Sequence, residues 1–144
     1  MNVIACIDNN NGIAFNGRRV SSDLAVMSRI KFIVGDHKLW VDKSSEKLLQ
    51  KHYIAYEIID KNSRIHEEDY VFIDTKQFMF IKKDCSNIDT LVLFMWNRDY
   101  PSDTKLDIDM SVLKEYSQLE YKGFSHERIS ELHFNKKEKL GNEE

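Results

Sequence analysis

The sequence predicts an α/β protein with a mostly parallel sheet and an antiparallel edge, and three observations support this class. Short apolar segments alternate with segments of helical periodicity over the first half of the chain. The strongest apolar segment, residues 87–96, comes late and is followed by two strand-like segments around Gly123, as in an antiparallel hairpin. With 144 residues, of which 42% are hydrophobic, the chain is long enough to bury the core of one domain.

The first apolar segment, residues 3–7, is short and closed by turn residues, which is typical of a central strand covered on both faces. Asn and Gly tolerate positive φ, so we expect a loop after this strand. Ser21 or Ser22 is expected to cap the helix that follows. Apolar residues recur in this helix at three-residue spacing, and Gly35 is expected to end it.

The middle of the chain predicts further strands and a short helix. Residues 38–41 are a second strand, and Ser44 and Ser45 cap a short helix that runs to Gln50. Residues 53–59 are rich in β-branched and aromatic side chains, which favours a third strand.

Residues 70–73 are a fourth strand after a polar loop. Residues 75–83 fit either a short helix or an extension of that strand, because periodicity does not distinguish the two over so short a run. After the strand at 87–96 comes a polar segment, and the final hairpin pairs residues 112–121 with residues 127–134. We therefore expect one domain over residues 1–135 and a charged tail over residues 136–144.

Composition excludes several classes of function. The net charge of −3 comes from interspersed charges, which argues against a dedicated nucleic-acid surface. No apolar run approaches the roughly 20 residues of a membrane span, and no secretion signal is recognisable, so we expect a cytoplasmic protein. Cys6 and Cys85 lack metal-ligand spacing and a patterned histidine, and are expected to be reduced thiols without a nucleophilic role.

The remaining polar and aromatic candidates have structural explanations. Trp40 and Trp96 lie inside apolar strands and are expected in the core. The histidines are scattered without ligand spacing, and each is expected at the surface; they are His37, His52, His66, His126 and His133. We expect no metal site.

Asp23 is the one carboxylate that the sequence places at the start of the first helix. An acid in the first turn interacts favourably with the helix dipole, and this interaction lowers its pKa. A lowered pKa is the wrong direction for delivering protons at neutral pH, so a structural role is favoured. A catalytic role stays open as the alternative.

Five segments match the motifs of one enzyme family in the correct order. They are VIACIDNNNGIAFNGRRVSSDL, KLWVDKSSEKL, DYVFIDTKQFMFI, LVLFMWNRDYPSDTKLDID and YSQLEYKGFSHERISELHFNKKEK. Together they resemble dihydrofolate reductase over almost the whole chain. The resemblance implies a three-layer fold with a mostly parallel central sheet, an antiparallel C-terminal hairpin and helices on both faces.

On the substrate side, the resemblance places Asp23 at the family's single carboxylate, which orients the pterin and assists its protonation while NADPH delivers hydride. Leu24 falls at the neighbouring apolar wall, and Met27 falls where an aromatic side chain usually packs on the pterin. Phe94 replaces the threonine that normally hydrogen-bonds the acid. The loop before the helix is shorter than in the family and lacks the Pro-Trp pair that shields the site from water.

On the cofactor side, the positions that the resemblance implies are Lys43, Ser44, Asp74 and Thr75. Asp42 places negative charge where the family binds an anionic phosphate, and Lys43 compensates in part. Asp74 and Thr75 replace paired glycines, so we expect their side chains to fill space that a cofactor needs. The stretch between Ser44 and Asp74 is short, and Arg64 is only a loose counterpart of the arginine that grips the folate tail.

Three hypotheses about function follow from these departures. The first is a dihydrofolate-reductase-like protein that has lost catalysis, needs no cofactor, and serves as a binding, structural or regulatory partner of an unidentified protein. Its small size and Lys/Ile/Asn-rich character suggest a bacteriophage or mobile-element origin, and hence a virion component or a protein that acts on a host protein. The second is an active NADPH-dependent dihydrofolate reductase with Asp23 as catalytic acid. The third is a binder of another pterin or nucleotide in the same cleft.

Overall fold

The protein is described by a computed structural model that covers residues 1–78, 81, 82 and 84–137. Its α-helices are α1 (Leu24–Val34) and α2 (Glu46–Lys51). Its strands are β1 (Asn2–Ile7), β2 (Gly12–Phe15), β3 (Arg18–Arg19), β4 (Leu39–Val41), β5 (Glu57–Ile58), β6 (Tyr70–Ile73), β7 (Thr90–Met95), β8 (Thr104–Lys105), β9 (Leu113–Tyr121) and β10 (Ile129–Lys136).

The main sheet has seven strands in the order β5-β4-β6-β1-β7-β10-β9. The five strands from β5 to β7 are parallel, and β10 and β9 continue the sheet in antiparallel pairing. This arrangement confirms the predicted fold class, including the C-terminal hairpin.

Strand β1 lies at the centre of the sheet, as predicted, between β6 and β7. Because side chains alternate along a strand, Val3 and Ala5 enter the core on one face of the sheet and Ile4 enters the core on the other. The described α-helices both pack on the Ile4 face, through residues such as Ile30 and Leu49. On the opposite face, the core is covered by strand β2, by loops and by a 3-10 turn at Met110–Val112, and no α-helix packs there among the described residues.

The segment after β1 corrects the expectation of a simple loop. Strands β2 and β3 form a hairpin, and β8 completes a small second sheet. Asn16 and Gly17 connect β2 to β3, with φ values of 52° and 74°. Asn-Gly between two strands favours this two-residue turn, because both positions require positive φ. The hairpin carries Arg19 to Asp74, directly after the carboxyl end of β6.

The start of helix α1 corrects the expected cap. The N-cap is Asp23 rather than Ser21 or Ser22, and its carboxylate accepts a hydrogen bond from the N–H of Ala25. Aspartate caps a helix as well as serine does. Gly35 ends the helix as predicted, in a left-handed conformation with φ 56°.

Several other boundaries differ from the sequence prediction. Residues 53–56 do not extend a strand, because Tyr53 has φ 56° and the N–H of Ile54 closes on the carbonyl of Leu49. The described part of residues 75–83 is neither helix nor strand. Residues 79, 80, 83 and 138–144, which include most of the expected tail, lie outside the described residues.

Trp40 and Trp96 are buried, as predicted, and both cysteines are free thiols. A search of the described residues for a helix long and apolar enough to span a membrane finds none.

Candidate functional site

The carboxylate of Asp23 is completely buried and accepts hydrogen bonds from the loop that joins β9 to β10. The N–H groups of Phe124 and Ser125 lie 3.1 and 2.9 Å from its oxygens, and the Ser125 hydroxyl lies 3.0 Å away. His126 Nδ1 is 2.9 Å from Oδ2, and the N–H of Ala25 adds the helix cap at 2.8 Å. The carboxylate therefore ties the start of α1 to the tip of the C-terminal hairpin.

Gly123 makes this approach possible. A Cβ atom at this position would overlap Asp23 Oδ2 and would lie 2.6 Å from Ile129 Cδ1. The N–H of Gly123 donates to the carbonyl of His126 at 2.9 Å and closes the turn. A residue without a side chain is thus required where the loop meets the carboxylate.

His126 is 3% exposed, so the prediction that it lies at the surface was wrong. Its ring stacks on Trp96, with centroids 4.5 Å apart and planes at 24°. Its second nitrogen, Nε2, lies 2.9 Å from the Ser21 hydroxyl and 3.0 Å from the Tyr100 hydroxyl. Sequence spacing gives no signal for this cluster, because its members come from three separate segments that only the folded sheet brings together.

The environment of Asp23 determines its protonation. Burial raises its pKa, but hydrogen bonds from His126 and from the N–H groups of Ser125, Phe124 and Ala25 outweigh burial and hold the pKa well below its usual range. The helix-dipole argument predicts the same direction. Asp23 is therefore an ionised acceptor at neutral pH.

The other positions that the resemblance assigns to the substrate differ in their burial. Met27 and Phe94 are buried in the core on the same face of the sheet, whereas Leu24 is 46% exposed. Next to Trp96 and Met27 lies a cavity of about 10 Å³, which is room for about one water molecule.

Among the positions that the resemblance assigns to the cofactor, Asp74 is buried and fully engaged by other side chains. Arg19 approaches it with Nε 3.0 Å from Oδ1 and Nη2 2.8 Å from Oδ2. The Ser45 hydroxyl donates to Oδ2 at 2.7 Å. The sequence contains no direct signal for the role of Arg19. The Asn-Gly turn that places Arg19 beside Asp74 is recognisable in the sequence.

The structure brings Ser44 and Thr75 together, with their hydroxyls 2.8 Å apart. Asp42 pairs with Lys76 at 3.0 Å. Lys43 and Arg64 are exposed. A shallow cleft of about 390 Å³ lies beside these contacts, lined by Gly17, Arg18, Arg19, Ser44 and Thr75.

Another buried carboxylate, Glu131 on β10, has no exposed surface. Arg29 of helix α1 binds it with two hydrogen bonds of 2.8 and 2.7 Å, and Tyr121 and His133 contribute bonds of 2.9 and 2.7 Å. Burial raises the pKa of Glu131, but the hydrogen bonds from Arg29, His133 and Tyr121 outweigh it and lower the pKa. This cluster adds a second contact between α1, through Arg29, and the C-terminal hairpin, through Glu131.

Within the described ranges, no group of three or more His, Cys, Asp or Glu side chains is arranged to hold a metal ion.

Comparison with known proteins gives a clear result only at the level of structure. No family model matches the sequence, and no curated protein matches it either. Among solved structures, the chain is similar to dihydrofolate reductase from Enterococcus faecalis complexed with NADP(H) and RAB-propyl. The TM-score is 0.67, the sequence identity is 11%, and the match covers 95% of this chain and 97% of that chain. An identity this low establishes the fold alone. The chain therefore has a dihydrofolate-reductase-like fold.

Proposed function

We propose that this protein uses a dihydrofolate-reductase-like scaffold for binding, as a structural or regulatory partner of another protein, and does not reduce dihydrofolate. A fold supports many functions, so the argument depends on the site. The main support for the proposal is that both carboxylate oxygens of Asp23 already accept hydrogen bonds from groups of the same chain.

Asp23 would need free carboxylate oxygens to orient a pterin. Its two oxygens instead receive five hydrogen bonds, three from backbone N–H groups and two from the side chains of Ser125 and His126. A ligand would have to replace these charge-assisted bonds, each worth about 1.5–3 kcal/mol. The depressed pKa also removes the proton that a catalytic acid would deliver.

The cofactor side supports the same proposal. Asp74 and Thr75 are 7% and 8% exposed, and their side chains bond across the cleft to Arg19, Ser45 and Ser44. Glycines at such positions would leave room for a nicotinamide, whereas these side chains occupy it.

Phe124 supports the binding part of the proposal. It is 76% exposed, and the loop that carries it is held to Asp23 by the N–H of Phe124 itself. A rigidly presented aromatic side chain is a common anchor of protein interfaces. Leu24, 46% exposed, follows Asp23 in the chain and adds apolar surface beside the same anchor.

The purified protein is expected not to oxidise NADPH in the presence of dihydrofolate, because Asp23 and Asp74 are both engaged internally. Absorbance of NADPH measures turnover, and thermal unfolding measures binding. A ligand at 100 times its Kd would stabilise the native state by about 2.7 kcal/mol, and we expect no such shift with NADPH or dihydrofolate.

Two outcomes would contradict this expectation in different ways. Turnover that Asp23→Asn abolishes would establish an active reductase. A thermal shift without turnover, given by a pterin or a nucleotide, would establish a binder of that ligand in the cleft.

A protein complex is expected to depend on Phe124. Tagged protein should recover a stoichiometric partner from extracts of its source, and Phe124→Ser should abolish recovery because the aromatic anchor is lost. Tyr116→Ser is the matched control, since Tyr116 is 58% exposed on β9, away from the loop. Equal recovery by Phe124→Ser and the wild type would reject Phe124 as the anchor, and a monomer without a partner would reject the proposal.

A further inference from the structure

A hydroxyl, an imidazole and a carboxylate are hydrogen-bonded in series at the start of helix α1. The Ser21 hydroxyl lies 2.9 Å from His126 Nε2, and His126 Nδ1 lies 2.9 Å from Asp23 Oδ2. This is the connectivity of a serine nucleophile, its general base and the acid that orients the base. We propose that Ser21 is a nucleophile that accepts small acyl groups from carboxylic esters. This activity goes beyond the proposed function and does not depend on it.

The tautomer of the neutral His126 ring follows from the groups that face its two nitrogens. Asp23 is an ionised acceptor, so the nitrogen that faces it, Nδ1, carries the hydrogen. Nε2 is then left with a lone pair directed at hydroxyl donors, which is the state a general base requires. The ring is 3% exposed and stacked on Trp96, so it is held in this orientation before any substrate arrives.

The cavity beside Ser21 supplies the other parts of an acyl-transfer site. Ser21 is partly exposed and lines the cavity of about 10 Å³ together with Trp96 and apolar side chains such as Val26 and Met27. In the part of the chain that the structure describes, the buried Nε1 of Trp96 has no hydrogen-bond partner. We assign this N–H as the donor to the oxyanion that forms on the carbonyl. The cavity has room for about one water molecule, which is the size of the carbonyl oxygen and favours the smallest acyl groups, such as acetyl.

The reaction has two balanced steps. Ser21 Oγ forms a bond to the ester carbonyl carbon and transfers its proton to His126 Nε2. His126 then protonates the leaving oxygen as the C–O bond breaks, which releases the alcohol and leaves acyl-Ser21. Water attacks the acyl group by the same route, His126 again receives and returns the proton, and the carboxylic acid leaves. Asp23 is a positioning residue that does not contact the acyl group.

Tyr100 competes for the same lone pair, because its hydroxyl lies 3.0 Å from His126 Nε2. The two hydroxyls are distinguished by surroundings, since Ser21 lines the cavity and Tyr100 does not. Removing the competitor by Tyr100→Phe should leave Ser21 as the one side-chain hydroxyl at Nε2 and raise its reactivity.

An alkyl fluorophosphonate and p-nitrophenyl acetate, reacted with the full-length protein, test the proposal. We expect a single adduct that peptide mass spectrometry places on Ser21, absent in Ser21→Ala. The rate of adduct formation should fall at least about 100-fold in His126→Gln, which is the usual contribution of a general base. Ser28→Ala is the matched control, because Ser28 is an exposed serine on helix α1, and it should react like the wild type.

The variant Ser21→Cys provides a second test, which does not require the His126→Gln variant to fold. Its thiol should react with iodoacetamide faster than a free cysteine at neutral pH, and this advantage should disappear when Asp23→Asn is added. The proposal is overturned if the wild type gives no adduct, if the adduct lies on Tyr100 or another serine, or if His126→Gln reacts at the wild-type rate.

Discussion

Replacing Asp23 with alanine is expected to lower the free energy of unfolding by about 3–5 kcal/mol. The variant loses a helix cap, worth about 1 kcal/mol, and leaves the buried donors of Ser125 and His126 without an acceptor. Each buried donor left unsatisfied costs about 1–3 kcal/mol. Urea unfolding followed by circular dichroism measures the change, and hydrogen exchange should show that residues 122–128 lose protection.

Asp109→Ala is the matched control for this prediction. Asp109 also caps a turn by accepting the N–H of Ser111, but its hydrogen bonds lie at the surface, so its loss should be much smaller. A loss for Asp23→Ala no larger than that of Asp109→Ala would mean that the loop does not depend on the carboxylate.

The same carboxylate determines part of the stability in acid. The folded-state pKa of Asp23 is below the unfolded value of about 3.9, so ionised Asp23 stabilises the native state. This stabilisation is complete above the unfolded pKa and is lost as the pH falls through the folded pKa. Wild-type stability should therefore decline below about pH 5, and Asp23→Asn should show a shallower decline. If the stability of the wild type and of Asp23→Asn declined equally as the pH falls, Asp23 would not be the group responsible for this pH dependence.

Replacing Glu131 with alanine is expected to cost about 3–5 kcal/mol, because it removes the fully buried acceptor of several hydrogen bonds, including both from Arg29, whose side chain is 32% exposed. Arg29 loses both bonds of its guanidinium, and Tyr121 loses the acceptor of its hydroxyl. The midpoint of urea unfolding should fall, with little change in the slope of the unfolding free energy against urea concentration.

Glu120 provides the control on the neighbouring strand. It lies 3.8 Å from Arg128 at the surface, with 45% of its side chain exposed. Exposed ion pairs of this kind contribute about 0–1 kcal/mol, so Glu120→Ala should be nearly neutral. Similar losses for Glu131→Ala and Glu120→Ala would show that burial of the Arg29 pair does not matter for stability.

The parts of the fold that follow from local patterns were predictable from the sequence. Three elements show this: the apolar run of β1, the helix that ends at Gly35 and the C-terminal hairpin. Each is indicated by a pattern of residues that are close together in the sequence. Asn16-Gly17 is a strong turn signal for the β2–β3 hairpin, but strands of four and two residues are too short to show an apolar pattern, so the sequence predicts only a loop there. The β propensity of Tyr53 predicts a strand, but closure of the preceding helix determines its conformation.

The site was predictable only in part, for a physical reason. The position of Asp23 at a helix start is a local property, whereas the identity of its partners is not. His126 reaches Asp23 from more than 100 positions away, through the register of β10 on β7 and the length of the loop. That register cannot be inferred from the spacing of the histidines or from the composition. The sequence therefore predicts His126 at the surface, whereas it is buried.

The central position of β1 has a consequence for how the chain folds during synthesis. Both neighbours of β1 are formed much later in the chain, since β6 ends at Ile73 and β7 ends at Met95. Contacts between such distant segments slow folding because the intervening chain must first be closed into a loop. One edge of β1 therefore stays unpaired until Ile73 has left the ribosome and the other until Met95 has, and in this interval the nascent protein is most exposed to aggregation.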